Sequence, residues 1–204
     1  MANRHQHELQ LAYTQMCMDR IALGFEPFMI AVMFNPLPGS ANTVARSMEQ
    51  AIEAIYGSVL NRMFRHHDRM PLLDLPLWIA CPDYPVSKSG KMTLREASVN
   101  DGRHMHVNAL IPTGTRLPNQ FNLWLAENDH HYAGPGRAIA GLQVQRIYET
   151  PEKAFDYDLK SLGRGRATSD DILVLPRTHS EMRAYKEPPR GGRGAPILRR
   201  GSRR

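Results

Sequence analysis

The chain has 204 residues, 42% of them hydrophobic, enough for one domain with a proper core plus an appendage. Its net charge of +6 is concentrated in residues 183–204, RAYKEPPRGGRGAPILRRGSRR, where eight Lys or Arg face one Glu, leaving about −1 for residues 1–182. Only two cysteines occur, Cys17 and Cys81, neither with metal-ligand spacing, and there is no signal peptide or 18-residue apolar run; this argues against a zinc finger or a membrane protein and for a reduced, soluble, cytoplasmic one.

In chain order, residues 6–22 carry Leu9, Ala12, Tyr13, Met16 and Arg20 near helical spacing, and Gly24 and Pro27 end that helix. FMIAVMFN, 28–35, is an apolar run between two prolines and reads as a buried strand. Asn42 is the expected cap of a long helix to about His66, with Val44, Met48, Ala51, Ile55, Val59 and Met63 on one stripe. LPLWIACP, 75–82, reads as a second apolar strand, and the polar stretch 84–101 as a long hairpin loop.

GRHMHVNALIP, 102–112, alternates with period 2. Met105, Val107, Ala109 and Ile111 share one face, and His104, His106, Asn108 and Leu110 the other. The strand therefore sets two imidazoles roughly 7 Å apart along one face, where they can converge on one metal ion. Residues 113–138 read as irregular, 139–148 as a strand, 151–162 as a helix opened by Pro151, and 170–176 as a last short apolar segment. The expected architecture is an α+β fold: an antiparallel sheet with helices packed on one face. Residues 1–182 form the domain, and 183–204 a disordered basic Arg/Gly/Pro tail suited to nucleic acid.

On the helix 151–162, Phe155, Leu159 and Leu162 make the core stripe at i, i+4 and i+7. Tyr157 lies roughly 160–200° from that stripe, flanked at i−4 and i+3 by Lys153 and Lys160, two of only five lysines in the chain. Tyrosine can act as a covalent nucleophile when neighbouring cations favour its phenolate. A metal held by the histidines would polarise a phosphate oxygen. One constellation prepares the electrophile and the other attacks it.

Together these segments resemble the HUH endonucleases, in particular the rolling-circle replication initiator (Rep) branch. The family's three motifs are matched in order by IAVMFN at 30–35, HMH at 104–106 and YDLK at 157–160. The likeness spans about residues 28–162. It implies an RRM-like antiparallel sheet with helices on one face, and His104 and His106 holding Mg²⁺ or Mn²⁺ with an acid from a neighbouring strand. LWIACPD nominates Asp83 as that acid; Glu96 and Asp101 are nearer in sequence but fall in the expected loop. The resemblance further implies that Tyr157 attacks a single-stranded DNA phosphodiester to give a 5′-phosphotyrosine link, and that Lys160 positions or neutralises the phosphate. Initiation of rolling-circle replication of a plasmid, phage or related element would follow. No G-x-x-x-x-G-K motif is present, so a host helicase is the expected partner. The alternatives are a non-catalytic single-stranded nucleic-acid-binding module of similar fold and a hydrolase without a covalent step.

Overall fold

The computed structural model describes residues 2–83 and 104–177. The loop expected at 84–101, with Glu96 and Asp101, and the tail 183–204 lie outside the described residues. The elements are α1 (Ala2–Ala22), β1 (Glu26–Phe34), α2 (Ala41–Met63), β2 (Leu77–Pro82), β3 (His104–Ile111), α3 (Phe121–Glu127), β4 (Ile139–Arg146), α4 (Pro151–Asp158), α5 (Lys160–Gly163) and β5 (Leu173–Leu175).

The five strands form one sheet in the order β4-β1-β3-β2-β5, and every pairing is antiparallel. From β1 to β4 the chain runs β-α-β-β-α-β, the split βαβ arrangement. Its two helices, α2 and α3, pack on one face. Ile52, Ile55, Val59 and Met63 of α2 and Phe121, Trp124 and Leu125 of α3 meet Phe28, Ile30, Val32, Trp78, Met105, Val107 and Ala109 of the sheet. The α+β class and the antiparallel sheet are as read from the sequence.

Beyond that unit, helices also cover the other face. Cys17 of α1 and Phe155, Leu159 and Leu162 of the α4–α5 segment bury Leu77, Ile79, Cys81 and Leu110 in a second, smaller core. The reason is legible in β2: all six of its residues are buried, which requires apolar cover on both sides. The second layer sits on β2 and β3. On β1, only alternate residues are fully buried, and Met29, Ala31 and Met33 are half-buried on the face that carries the histidines.

Three local expectations change. The cap of α2 is Ser40, not Asn42; its hydroxyl accepts from the Thr43 N–H at 3.3 Å, while Asn42 falls inside the first turn. The stretch 113–138 is not wholly irregular, because Phe121, Trp124 and Leu125 at i, i+3 and i+4 form the buried stripe of α3. The helix 151–162 is two pieces, broken at Leu159.

Candidate metal centre

The site is built by strand register. Cys81 of β2 pairs with His106 and Pro82 with Met105, and the ladder continues one step further as the Asp83 N–H donates to the His104 carbonyl at 3.1 Å. Asp83 is two residues beyond Cys81 and so projects from the same face as the two histidines. Its Oδ2 lies 2.9 Å from His104 Nε2 and 3.3 Å from His106 Nε2. The donor atoms of Asp83, His104 and His106 all lie within 4.8 Å of one another, and these three residues are the cluster with metal-holding geometry among the described residues. The third ligand nominated from the sequence therefore stands beside the two histidines.

The donor set fits a divalent ion. Cis ligands of an octahedral ion with bonds of about 2.1 Å lie about 3 Å apart, and the two Nε2···Oδ2 separations have that span. Two imidazole nitrogens and a carboxylate oxygen would hold such an ion, leaving the remaining positions to water or substrate.

The helical segment α4–α5 closes over this cluster. Lys160 Nζ is 3.0 Å from each Asp83 carboxylate oxygen, its hydrogen bond directed to Oδ2. Burial pushes the Asp83 carboxyl up, but hydrogen bonds from Lys160 and His104 outweigh it and hold the group below the usual carboxylate range. Burial likewise holds His106 below the ordinary imidazole value, against the pull of Asp83. Tyr157 projects outward, 60% exposed, and Lys160 Nζ lies 4.1 Å from its ring centroid. Lys160 thus touches both the Asp83 carboxylate and the tyrosine three residues before it.

One residue of the site is absent from the motif reading. Asp158 is 2% exposed, and its Oδ1 lies 3.3 Å from His106 Nδ1, the ring nitrogen turned away from Asp83. The contact is ionic in distance without hydrogen-bond alignment. Burial pushes this carboxyl up to about 7, against the opposing pull of Lys160. The sequence does carry a signal: Asp158 is i+3 from Phe155 and i−4 from Leu162, an acid on an apolar stripe.

The remaining candidates have structural settings. Asn35, the polar end of the first motif, donates from Nδ2 to the carbonyls of Arg137 (2.9 Å) and Gly134 (3.0 Å), tying the turn before β4 to the end of β1. His67 Nε2 lies 3.0 Å from Asn61 Oδ1, and the His130 and His131 rings meet at a 43° tilt in a short 3₁₀ turn. Cys17 and Cys81 are buried, and burial pushes both thiols up to about 12. Among the described residues, no helix is long and apolar enough to cross a membrane. No family, curated protein or solved structure matches the chain.

Proposed function

We propose that the protein is a metal-dependent nicking and joining endonuclease for single-stranded DNA, of the HUH replication-initiator type. The observation that carries this reading is Lys160, which contacts Asp83 beside the histidine pair and the ring of Tyr157 at once. A nucleophile, a phosphate-neutralising cation and a metal-ligand set meet within one side chain's reach.

In this reading His104, His106 and Asp83 hold Mg²⁺ or Mn²⁺; the two imidazoles favour Mn²⁺, because Mg²⁺ takes mainly oxygen ligands. The bound ion would withdraw electron density from a phosphate oxygen. The Tyr157 phenol oxygen attacks phosphorus, the bond to the 3′-oxygen breaks, and the phenol proton leaves to solvent at this exposed position. The departing 3′-oxygen takes up a proton from solvent, so the DNA then carries a 5′-phosphotyrosine bond and a free 3′-hydroxyl, whose return attack is the joining step. Lys160 balances the added negative charge on the phosphorane.

The test uses purified protein, Mn²⁺ and a pool of labelled single-stranded DNAs that includes sequence flanking its own gene. Label that survives boiling in detergent, is absent with chelator and vanishes in Tyr157→Phe is the expected result. A band that persists in Tyr157→Phe moves the nucleophile elsewhere, with Tyr148, 76% exposed, next in line. A second reading, a non-catalytic binding module, draws on the half of the sheet face beside the site that no helix covers among the described residues. There Met29, Ala31 and Met33 of β1 face Gln143 and Gln145 of β4. Tight reversible binding without any covalent band favours that reading. None of these five residues is aromatic, so they offer no base-stacking platform of the kind RNA-binding sheets use.

A further inference from the structure

Asp158 poses a physical question that the proposed chemistry does not answer. It is a buried carboxylic acid on the helical stripe that carries Phe155 and Leu162 into the second core, near enough to the Cys17 and Cys81 thiols to raise both, at a position where a leucine would carry no desolvation cost. Neither of its oxygens makes a hydrogen bond among the described residues, where its ionic partner is His106 Nδ1. His106 Nδ1 is itself buried without a hydrogen bond. Two buried polar groups, neither hydrogen-bonded, therefore face each other across 3.3 Å, on the side of the imidazole opposite the ligand cluster.

A neutral imidazole has one N–H and one lone pair, so whichever nitrogen carries the proton cannot also be a ligand. To serve as a ligand through Nε2, His106 must carry its proton on Nδ1. Asp83 cannot enforce that choice: its Oδ2, shared with His104 and Lys160, is hydrogen-bonded to Nε2 and favours the proton on that nitrogen instead. Asp158 can.

We infer that Asp158 is a positioning residue: it accepts the Nδ1 proton of His106 in a hydrogen bond, fixing the tautomer and ring plane that aim Nε2 at the metal. The inference rests on the reading of Asp83, His104 and His106 as a metal site. It also explains why the acid sits where it does on the chain. Asp158 follows Tyr157 directly, and Lys160 two residues later holds Asp83. The segment bearing the nucleophile is thereby latched to two of the three metal ligands, one contact on each side of the His106 ring.

The experiment measures Mn²⁺ affinity of the full chain by titration calorimetry. It also measures the ring-nitrogen NMR spectrum of the metal-free protein at a pH where both site imidazoles are neutral. Outer carboxylates on metal-bound histidines are worth about 10–100-fold in affinity. Asp158→Leu is expected to weaken Mn²⁺ binding by about that factor while melting no lower than wild type. Asp158→Asn, whose amide oxygen can still accept the hydrogen bond, is expected to lose less and keeps the test open if the leucine variant does not fold. In wild type, His106 is expected to hold its proton on Nδ1, and Asp158→Leu to move it toward Nε2 with His104 unchanged. Wild-type Mn²⁺ affinity in both variants, or a His106 spectrum indifferent to Asp158→Leu, overturns the inference. Failure of the wild type itself to bind Mn²⁺ more tightly than a His104→Ala, His106→Ala double variant sinks the metal-centre reading instead. The nitrogen spectrum then decides the role of Asp158 by itself.

Discussion

At the scale of single residues, the site combines groups whose environments pull in opposite directions. Asp83 is half-buried yet favoured in its charged form, because two imidazoles and an ammonium converge on it. Asp158 is buried more deeply with weaker compensation, so its carboxyl rises to about 7. An acid whose folded value is raised keeps its proton in the folded protein after the unfolded chain has released it. Stability from this group is therefore intact below about pH 4 and falls as pH rises toward 7, by about 4 kcal/mol at most. His106, held low by burial, acts in the reverse sense: the unfolded chain takes up its proton first as pH falls below about 6.5, so its contribution is lost on acidification. Chemical denaturation of metal-free wild type and Asp158→Leu across pH 4–8 separates the two. The variant's advantage should be small at pH 4 and grow through pH 7. An advantage independent of pH would mean that the Asp158 carboxyl holds its proton no more tightly in the folded protein than in the unfolded chain.

Elements place these residues with strand-level precision. Period-2 alternation is enough to put His104 and His106 on one face, and register then carries Asp83 to the same face at the end of the neighbouring strand. The helical segment is less rigidly specified, because its stripe of Phe155, Leu159 and Leu162 crosses the break at Leu159. That one residue, fully buried, caps α4, precedes α5 and fills the second core. Leu159→Ala should cost about 2–5 kcal/mol in denaturant unfolding. It should also loosen both Asp158 and Lys160 from the ligands, so Mn²⁺ affinity falls along with stability. A stability loss below about 1 kcal/mol would show that α4 and α5 dock independently. The stripe itself is plain in the sequence; the break is not, since no glycine or proline marks it. The Ser40 cap is masked because Asn42, also a good cap, stands two residues on. The helix α3 is hidden by its brevity between segments rich in Pro, Gly and Asn.

For the whole molecule, the position of the site follows from how far the second helical layer extends. The alternating pattern of β3 reveals one apolar face and leaves its polar face to be read as open. The cover over that face is signalled elsewhere, in the unbroken apolar run of β2, which helices on one side alone could not bury. Among the described residues, α1, α4 and α5 pack mainly on β2 and β3, so the histidines stand at a border. Buried packing lies on the β2 side, and the half-exposed surface of β1 and β4 on the other. In the proposed reading a strand of DNA would approach from the half-exposed β1–β4 side, toward a domain with little net charge, since residues 1–182 sum to about −1. On that reading, long-range attraction to a polyanion would come from residues 183–204, with their eight Lys or Arg. Removing those residues should lower single-stranded DNA affinity most at low salt. It should also flatten the dependence of log affinity on log salt by about 0.7 for each phosphate that the shortened chain no longer neutralises. The covalent step at saturating DNA should survive, because Tyr157, Lys160 and the three ligands lie within the chain that remains. An unchanged salt slope would assign the tail to something other than the DNA backbone. Loss of the covalent step at saturation would mean that the tail reaches into the site rather than serving only to gather substrate.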